Sequence, residues 1–318
     1  MTPMRILVVG AGAIGGYFGG RLLAAGRDVT FLVRPRRQAQ LAKTGLVIRS
    51  RLGDASLPAP PTVAADALRT PFDLILLSCK AFDLQSAADS FAPAVGANTA
   101  ILPLLNGMAH IDELAARFGG AAVLGGQCAI SVTLDGDGRI HHLNDFNSLS
   151  FGERDGSVSR RAEAIAATLS GAGFDSRLST TILQEMWEKW VLIATMGASN
   201  CLLRAAVGDI VAAGAENVSL GLLGECAGIA TARGYAPSDA AMTRNRAMLT
   251  AKGSAFTASM LRDIENGAPI EAAHIVGDLI RRGGGGPSDF PLLRIAYAHL
   301  RAYEARRERE HRGGAKAA

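Results

Sequence analysis

The chain has 318 residues, 48% of them apolar and 19% charged, with a formal net charge of +4 and a pI near 9.0. Such a length buries a sizeable core and predicts about two domains, and no apolar run reaches the roughly eighteen residues of a membrane-spanning helix. The basic residues are not interleaved with aromatics, and the tail EARREREHRGGAKAA supplies much of the positive excess, so nucleic acid is not expected as a partner.

The first predicted element is a strand: Ile6 to Val9 are all apolar and stop abruptly at Gly10. This beginning reads as a strand and not as a signal peptide, which together with the lack of a spanning helix predicts a cytoplasmic protein with no membrane partner. Gly10, Gly12 and Gly15 follow at G-x-G-x-x-G spacing. A helix is predicted from Ile14 to Ala25, with Gly26 as its stop, and the strand DVTFLVR completes a βαβ unit. In that setting the first glycine allows a tight turn, the second lets backbone N–H groups approach a pyrophosphate, and the third lets helix pack on strand. The stretch Gly10, Gly12, Ala13, Ile14 and Gly15 is therefore the candidate dinucleotide cradle, with a mere packing turn as the alternative.

A ribose with a free 2′-OH calls for an acidic residue at the end of the second strand. This chain has LVRPRR there, with Arg34, Arg36 and Arg37. A guanidinium presents a fork of donors suited to a 2′-phosphate, so NADPH is the expected cofactor and Arg34, directly on the strand end, its best single candidate contact. A solvated basic loop is the alternative.

Two further strands are predicted in FDLILLSCK, ending at Lys80, and TAILPLLNG, ending at Asn106. Ligands of a doubly wound sheet sit outside the carboxyl ends of its strands, which puts Lys80 and Asn106 on the rim that carries Gly10. Their bland readings are a surface lysine capping a strand and a turn asparagine tolerating a left-handed backbone. AAVLGGQCAISV reads as another strand of the series, and RIHHLNDFNSLSFGERDG as strands and a turn that close the first domain. His141 and His142 are adjacent, would point to opposite faces of a strand, and make a poor metal pair, so no metal is expected. Cys79, Cys128, Cys201 and Cys226 form no C-x-x-C pair and read as buried thiols. From about Ser157 the pattern turns helical, in SRRAEAIAATLSGAG and then TTILQEMWEKWVLIATMGASNCLL. The expected fold class is an α/β Rossmann-type N-terminal domain over residues 1–178, a linker near GFDSRLS, and an all-helical C-terminal domain over 179–318.

The segments GAGAIGGYFG, SCKAFD, LLNGM, EMWEKW and SMLRDIENGAPIE, in this order and at these separations, resemble the ketopantoate reductase (2-dehydropantoate 2-reductase) family. The likeness runs from about Arg5 to about Arg301. It implies an NADPH-dependent oxidoreductase that reduces a small 2-oxo acid to a 2-hydroxy acid, with 2-dehydropantoate to pantoate, a step of pantothenate biosynthesis, as the leading reaction. A homodimer is admitted by the resemblance. Residue by residue, Lys189 matches the family's catalytic lysine and Glu271 its partner carboxylate. Lys80 and Asn106 match positions holding the nicotinamide side and the substrate, and Ser259 matches a serine on the substrate carboxylate. The chemistry is sound on its own terms, since an ammonium placed against a ketone oxygen stabilises the charge that develops there and can supply the proton. Without the resemblance, a helix-surface lysine beside Glu185 and Glu188 and a solvated glutamate would be the preferred readings.

The chain also departs from the family pattern. Ile193, Val207 and Phe256 stand where ketopantoate-reducing members have asparagines in the substrate pocket. Either Asn200, on the same predicted helix as Ile193, compensates, or the substrate is a different and less polar 2-oxo acid. A non-catalytic NADPH-binding module is a further alternative, against which the joint presence of Lys189 and Glu271 weighs.

Overall fold

The protein is represented by a computed structural model that describes residues 3–314. The last four residues of the basic tail lie outside them. The chain divides into two compact units, one of Met1–Leu105 with His110–Leu183 and one of Asn106–Ala109 with Gln184–Ala318.

In the first unit β1 (Arg5–Val9) leads through α1 (Ala13–Ala24) to β2 (Asp28–Leu32) and α2 (Pro35–Thr44). Then come β3 (Leu46–Arg49), β4 (Ala55–Leu57), β5 (Thr62–Val63), β6 (Leu74–Leu77), α3 (Leu84–Phe91), β7 (Ala100–Pro103) and α4 (Ala109–Phe118). Five strands form one sheet in the order β5-β2-β1-β6-β7, with every pairing parallel. All but the first residue of β1, and all of β6 and β7, are buried, as expected of strands covered on both faces. The first helix is buried along most of its length through Tyr17, Phe18 and Leu22. Glycines bring it close to its neighbours: a Cβ on Gly19 would reach 2.7 Å from the Phe31 ring.

The strands that follow do not extend this sheet. β8 (Gly125–Ala129), β9 (Val132–Leu134), β10 (Ile140–His142), β11 (Ser148–Gly152), α5 (Arg160–Leu169) and β12 (Asp175–Leu178) complete the unit. They build two small sheets, β4-β3-β10-β9 and β12-β11-β8. The predicted strand in AAVLGGQCAISV thus belongs to a separate antiparallel pairing with β11. The expected linker at GFDSRLS contains β12, which runs parallel to β11 with Phe151 opposite Leu178. Local polarity hid that strand, because Asp175 and Arg177 point outward from an edge position.

The second unit is helical: α6 (Ile182–Leu203), α7 (Val207–Ala212), α8 (Glu216–Ala232), α9 (Asp239–Leu249), α10 (Ser259–Glu265), a π-turn over Ala273–Gly277, α11 (Asp278–Gly283) and α12 (Pro291–Gly314). α8 packs on α9, α11 and α12, with Leu222, Leu223, Cys226 and Ile229 buried. No helix among the described residues is long and apolar enough to cross a membrane. Cys128, Cys201 and Cys226 are buried and Cys79 half-buried, none of them in a disulfide among the described residues. Burial pushes the Cys201 and Cys226 thiols up to about 12. The two adjacent histidines are engaged apart: His141 Nε2 lies 2.8 Å from Asp135 Oδ2, whereas buried His142 meets Ser50 Oγ at 2.8 Å and the Phe146 carbonyl at 3.0 Å.

Candidate active site

The glycine turn begins where β1 ends. The Gly10 N–H donates to the Leu32 carbonyl at 3.0 Å, which locks the turn to the end of β2, and Gly10 itself has φ of +91°. That left-handed backbone strains any residue with a Cβ. Gly15 is required for a different reason, since a Cβ there would collide with the Gly10 carbonyl oxygen and Ser78 Oγ. Gly12 is the N-cap of α1 and has no side-chain cap. A Cβ on it would meet nothing within 4 Å, so no internal contact demands a glycine at this position. Ala13 and Ile14, half-buried, form the first turn of α1 behind it. The first amides of the helix have no intrahelical acceptor, and with the aligned peptide dipoles they suit a pyrophosphate. The turn therefore fits a dinucleotide.

The arginines after β2 do different jobs. Arg37 is half-buried and donates to the Ala11 carbonyl at 3.0 Å, to Gln40 Oε1 at 2.6 Å and to the Gly138 carbonyl at 3.1 Å, and its burial lowers the guanidinium pKa from the ordinary arginine value. It braces the glycine turn. Arg34 is the N-cap of α2 and is exposed, with Nη2 2.8 Å from Asp83 Oδ1. Arg36 is exposed. On the other side of β1, Ser78 Oγ donates to the Val9 carbonyl at 3.2 Å, and exposed Lys80 caps a short 3₁₀ turn, Ala81–Asp83. Ser78 and Asp83 are not singled out by the sequence, and Arg37, read there as one of three arginines on the cofactor side, instead braces the turn. A small polar residue just beyond a strand that neighbours the glycine turn is the signal that would have found Ser78.

The remaining candidates, Asn106, Lys189, Ser259 and Glu271, belong to the helical unit. Lys189 is half-buried on α6, between Trp187 and Trp190, whose rings lie 4.9 Å apart. Trp187 also stacks on Tyr235 at 5.3 Å. The Trp190 indole donates to the Ile275 carbonyl at 2.8 Å. That bond ties the turn of α6 carrying Lys189 to the π-turn that begins two residues after Glu271. Glu271 is only 8% exposed, and its carbonyl accepts the Ile275 N–H at 2.9 Å. The π-turn also receives the asparagine loop: a Cβ on Gly107 would come within 3.0 Å of His274. Gly107, with φ of +78°, takes the left-handed conformation of that loop and Asn106 does not, so the backbone gives no reason for an asparagine at 106. Ser259 is exposed at the first position of α10. Asn106, Lys189 and Glu271 are thus carried by segments that meet at one π-turn, while Ser259 stands on the preceding short helix.

Asn200 does not serve as a spare pocket amide. It is fully buried, its Nδ2 donates to the Ala205 carbonyl at 2.8 Å and its Oδ1 accepts the Ala258 N–H at 2.9 Å. Of the three apolar replacements, Ile193 is half-buried one turn beyond Lys189, Val207 is buried, and Phe256 is 47% exposed. The Val207 N–H donates to the Phe256 carbonyl at 3.1 Å.

Two family models match the chain, Ketopantoate reductase PanE/ApbA over residues 6–156 and Ketopantoate reductase PanE/ApbA C terminal over residues 181–304. The chain belongs to the ketopantoate reductase family. It is 36% identical over 303 residues to the uncharacterized oxidoreductase YkpB of Bacillus subtilis (strain 168), covering 95% of this chain and 99% of that one. With the 2-dehydropantoate 2-reductase of Nostoc sp. it shares 25% identity over 312 residues, 96% and 97% of the two chains. The crystal structure of 2-dehydropantoate 2-reductase from Methylococcus capsulatus superposes with a TM-score of 0.85 at 29% identity, covering 96% of this chain and 98% of that one. As a ketopantoate reductase family member the protein is an oxidoreductase that uses a nicotinamide dinucleotide, NAD(P)H.

Proposed function

We propose that the protein is an NADPH-dependent reductase of a 2-oxo acid, with Lys189 as the group that faces the reacting oxygen. The observation that carries this reading is the Trp190–Ile275 hydrogen bond of 2.8 Å, which holds the Lys189 turn of α6 to the segment following the buried carboxylate of Glu271. A bound reduced nicotinamide dinucleotide supplies the hydride to the ketone carbon. Lys189 stabilises the negative charge that develops on the ketone oxygen and gives it a proton. Glu271 orients the ammonium and, through it, the hydroxyl that forms on the reduced carbon. Asn106 and Lys80 hold the nicotinamide side of the cofactor, Asn106 also touches the substrate, and Ser259 receives the substrate carboxylate. Gly10, Gly12, Ala13, Ile14 and Gly15 cradle the pyrophosphate, and Arg34 meets the 2′-phosphate.

The named substrate that family membership favours is 2-dehydropantoate, reduced to pantoate for pantothenate biosynthesis in the cytoplasm. A second reading, a less polar branched 2-oxo acid, is favoured by the commitment of Asn200 to the Ala205 carbonyl and the Ala258 N–H. With Ile193, Val207 and Phe256 at the family's asparagine positions, no amide is left at these places to pair a substrate hydroxyl. The test is a panel of 2-oxo acids, with and without a hydroxyl on the side chain, followed by the oxidation of NADPH. Turnover of at least one of them is expected. Binding of NADPH with no turnover of any would favour the non-catalytic module instead.

A further inference from the structure

The cofactor reading rests on Arg34, and Arg34 already has a partner. Its Nη2 lies 2.8 Å from Asp83 Oδ1. The two residues come from the segments that leave β2 and β6, and these are the two neighbours of β1 in the sheet. The ion pair therefore links both flanks of the strand whose end opens the glycine turn. Arg34 is the N-cap of α2 and Asp83 the N-cap of α3, and neither makes a side-chain capping bond. Arg37, another basic side chain after β2, is committed to the Ala11 and Gly138 carbonyls and to Gln40.

We propose that Asp83 is a specificity-determining residue that tempers the preference for a 2′-phosphorylated dinucleotide, a proposal that rests on Arg34 meeting the 2′-phosphate. A phosphate arriving at Arg34 has to share the guanidinium with a carboxylate, and the two anions repel. A ribose with a free 2′-OH meets the opposite situation, because the Asp83 carboxylate can accept its hydrogen bond as an acidic residue does in NAD-binding turns. Asp83 thus weakens NADPH and supports NADH, and the protein accepts both with NADPH ahead. Arg34 is 75% exposed and Asp83 36%, so solvent screening limits the effect to the range of surface charge pairs, about 1.5-fold to fivefold in affinity.

The experiment measures the dissociation constants of NADPH and NADH for the full-length protein and its Asp83→Asn, Asp83→Ser, Arg34→Ala and double Arg34→Ala/Asp83→Asn variants. Because Asp83 caps nothing with its side chain, both single Asp83 variants are expected to fold, and circular dichroism checks this. The expected result is that each Asp83 variant binds NADPH about 1.5-fold to fivefold more tightly while NADH binds no better or more weakly. Arg34→Ala should lose NADPH affinity by about tenfold or more, and in its background Asp83→Asn should restore less than it gains in the parent. If Arg34→Ala lowers the NADPH-to-NADH ratio but neither Asp83 variant raises it, the role of Asp83 is overturned and the cofactor reading stands. If Arg34→Ala leaves the ratio unchanged, the placement of the 2′-phosphate falls and Asp83's role with it.

Discussion

The glycine turn and the Lys189 helix, to which the proposed function gives equally demanding chemistry, are held in opposite ways. At the turn each demand is local: a left-handed φ at Gly10, a forbidden Cβ at Gly15, open space before Gly12. At Lys189 the demands come from afar. Its helix is held by a carbonyl 85 residues away, and the asparagine loop reaches the same π-turn across an even longer stretch of chain. The difference teaches that a ligand-binding turn can be encoded in six residues, whereas the acid–base site proposed at Lys189 draws on several segments.

Breaking the distant site should have the largest effect. Lys189→Ala is expected to lower turnover by about a hundredfold or more, the contribution of a positioned acid, with NADPH affinity nearly unchanged. Steady-state kinetics with cofactor titration checks it, and undiminished turnover would return Lys189 to the solvated face of α6.

The turn should break differently at its two inner glycines. Gly15→Ala forces a Cβ into the Gly10 carbonyl and Ser78 and should destabilise the first unit by about 1–3 kcal/mol as well as weaken cofactor binding. Gly12→Ala has room for its Cβ and should leave the melting temperature almost unaltered while still weakening the dinucleotide. Comparable melting losses in both variants would contradict that division.

A pH effect sharpens the contrast from the structural side. Glu153 accepts hydrogen bonds from Arg161 at 2.7 and 2.6 Å and from Ser159 at 2.6 Å, and the Arg161 guanidinium holds its carboxyl below the ordinary glutamate value. A depressed folded-state pKa contributes stability that is complete above the ordinary glutamate pKa and is lost as pH falls through the lower, folded value. Glu153→Gln should therefore cost about 1–3 kcal/mol at neutral pH and flatten the acid limb of the stability curve. Denaturant titrations across pH 3 to 7, roughly the carboxylate range, measure both. An unaltered acid limb in the variant would remove Glu153 from it.

The smallest expected effect concerns the substrate. A deoxy analogue of 2-dehydropantoate with a plain branched chain should be reduced with kcat/KM within about tenfold of the parent acid, because Asn200 is already committed. Discrimination by orders of magnitude would show that another polar group pairs the hydroxyl.

Much of the first unit was legible because its signals are short in range. β1, the glycine turn, α1 and β2 follow from an apolar run, a steric pattern and a stop glycine, all of which act between residues close in sequence. The long α6 was legible for the same reason, from its sustained helix-forming run. Lys189 and Glu271 were marked only through the resemblance, since a lysine among glutamates and a glutamate in a loop are ordinary surface residues by composition. The tertiary structure alone decided that β8, β11 and β12 form a sheet of their own, since backbone partners are chosen by long-range packing that polar edge residues do not advertise. It also decided which arginine braces the turn and which meets Asp83, and that the Asn200 amide is held by the Ala205 and Ala258 backbone. In each case residue type fixed what the group could bond to, and only the fold set which partner came within about 3 Å.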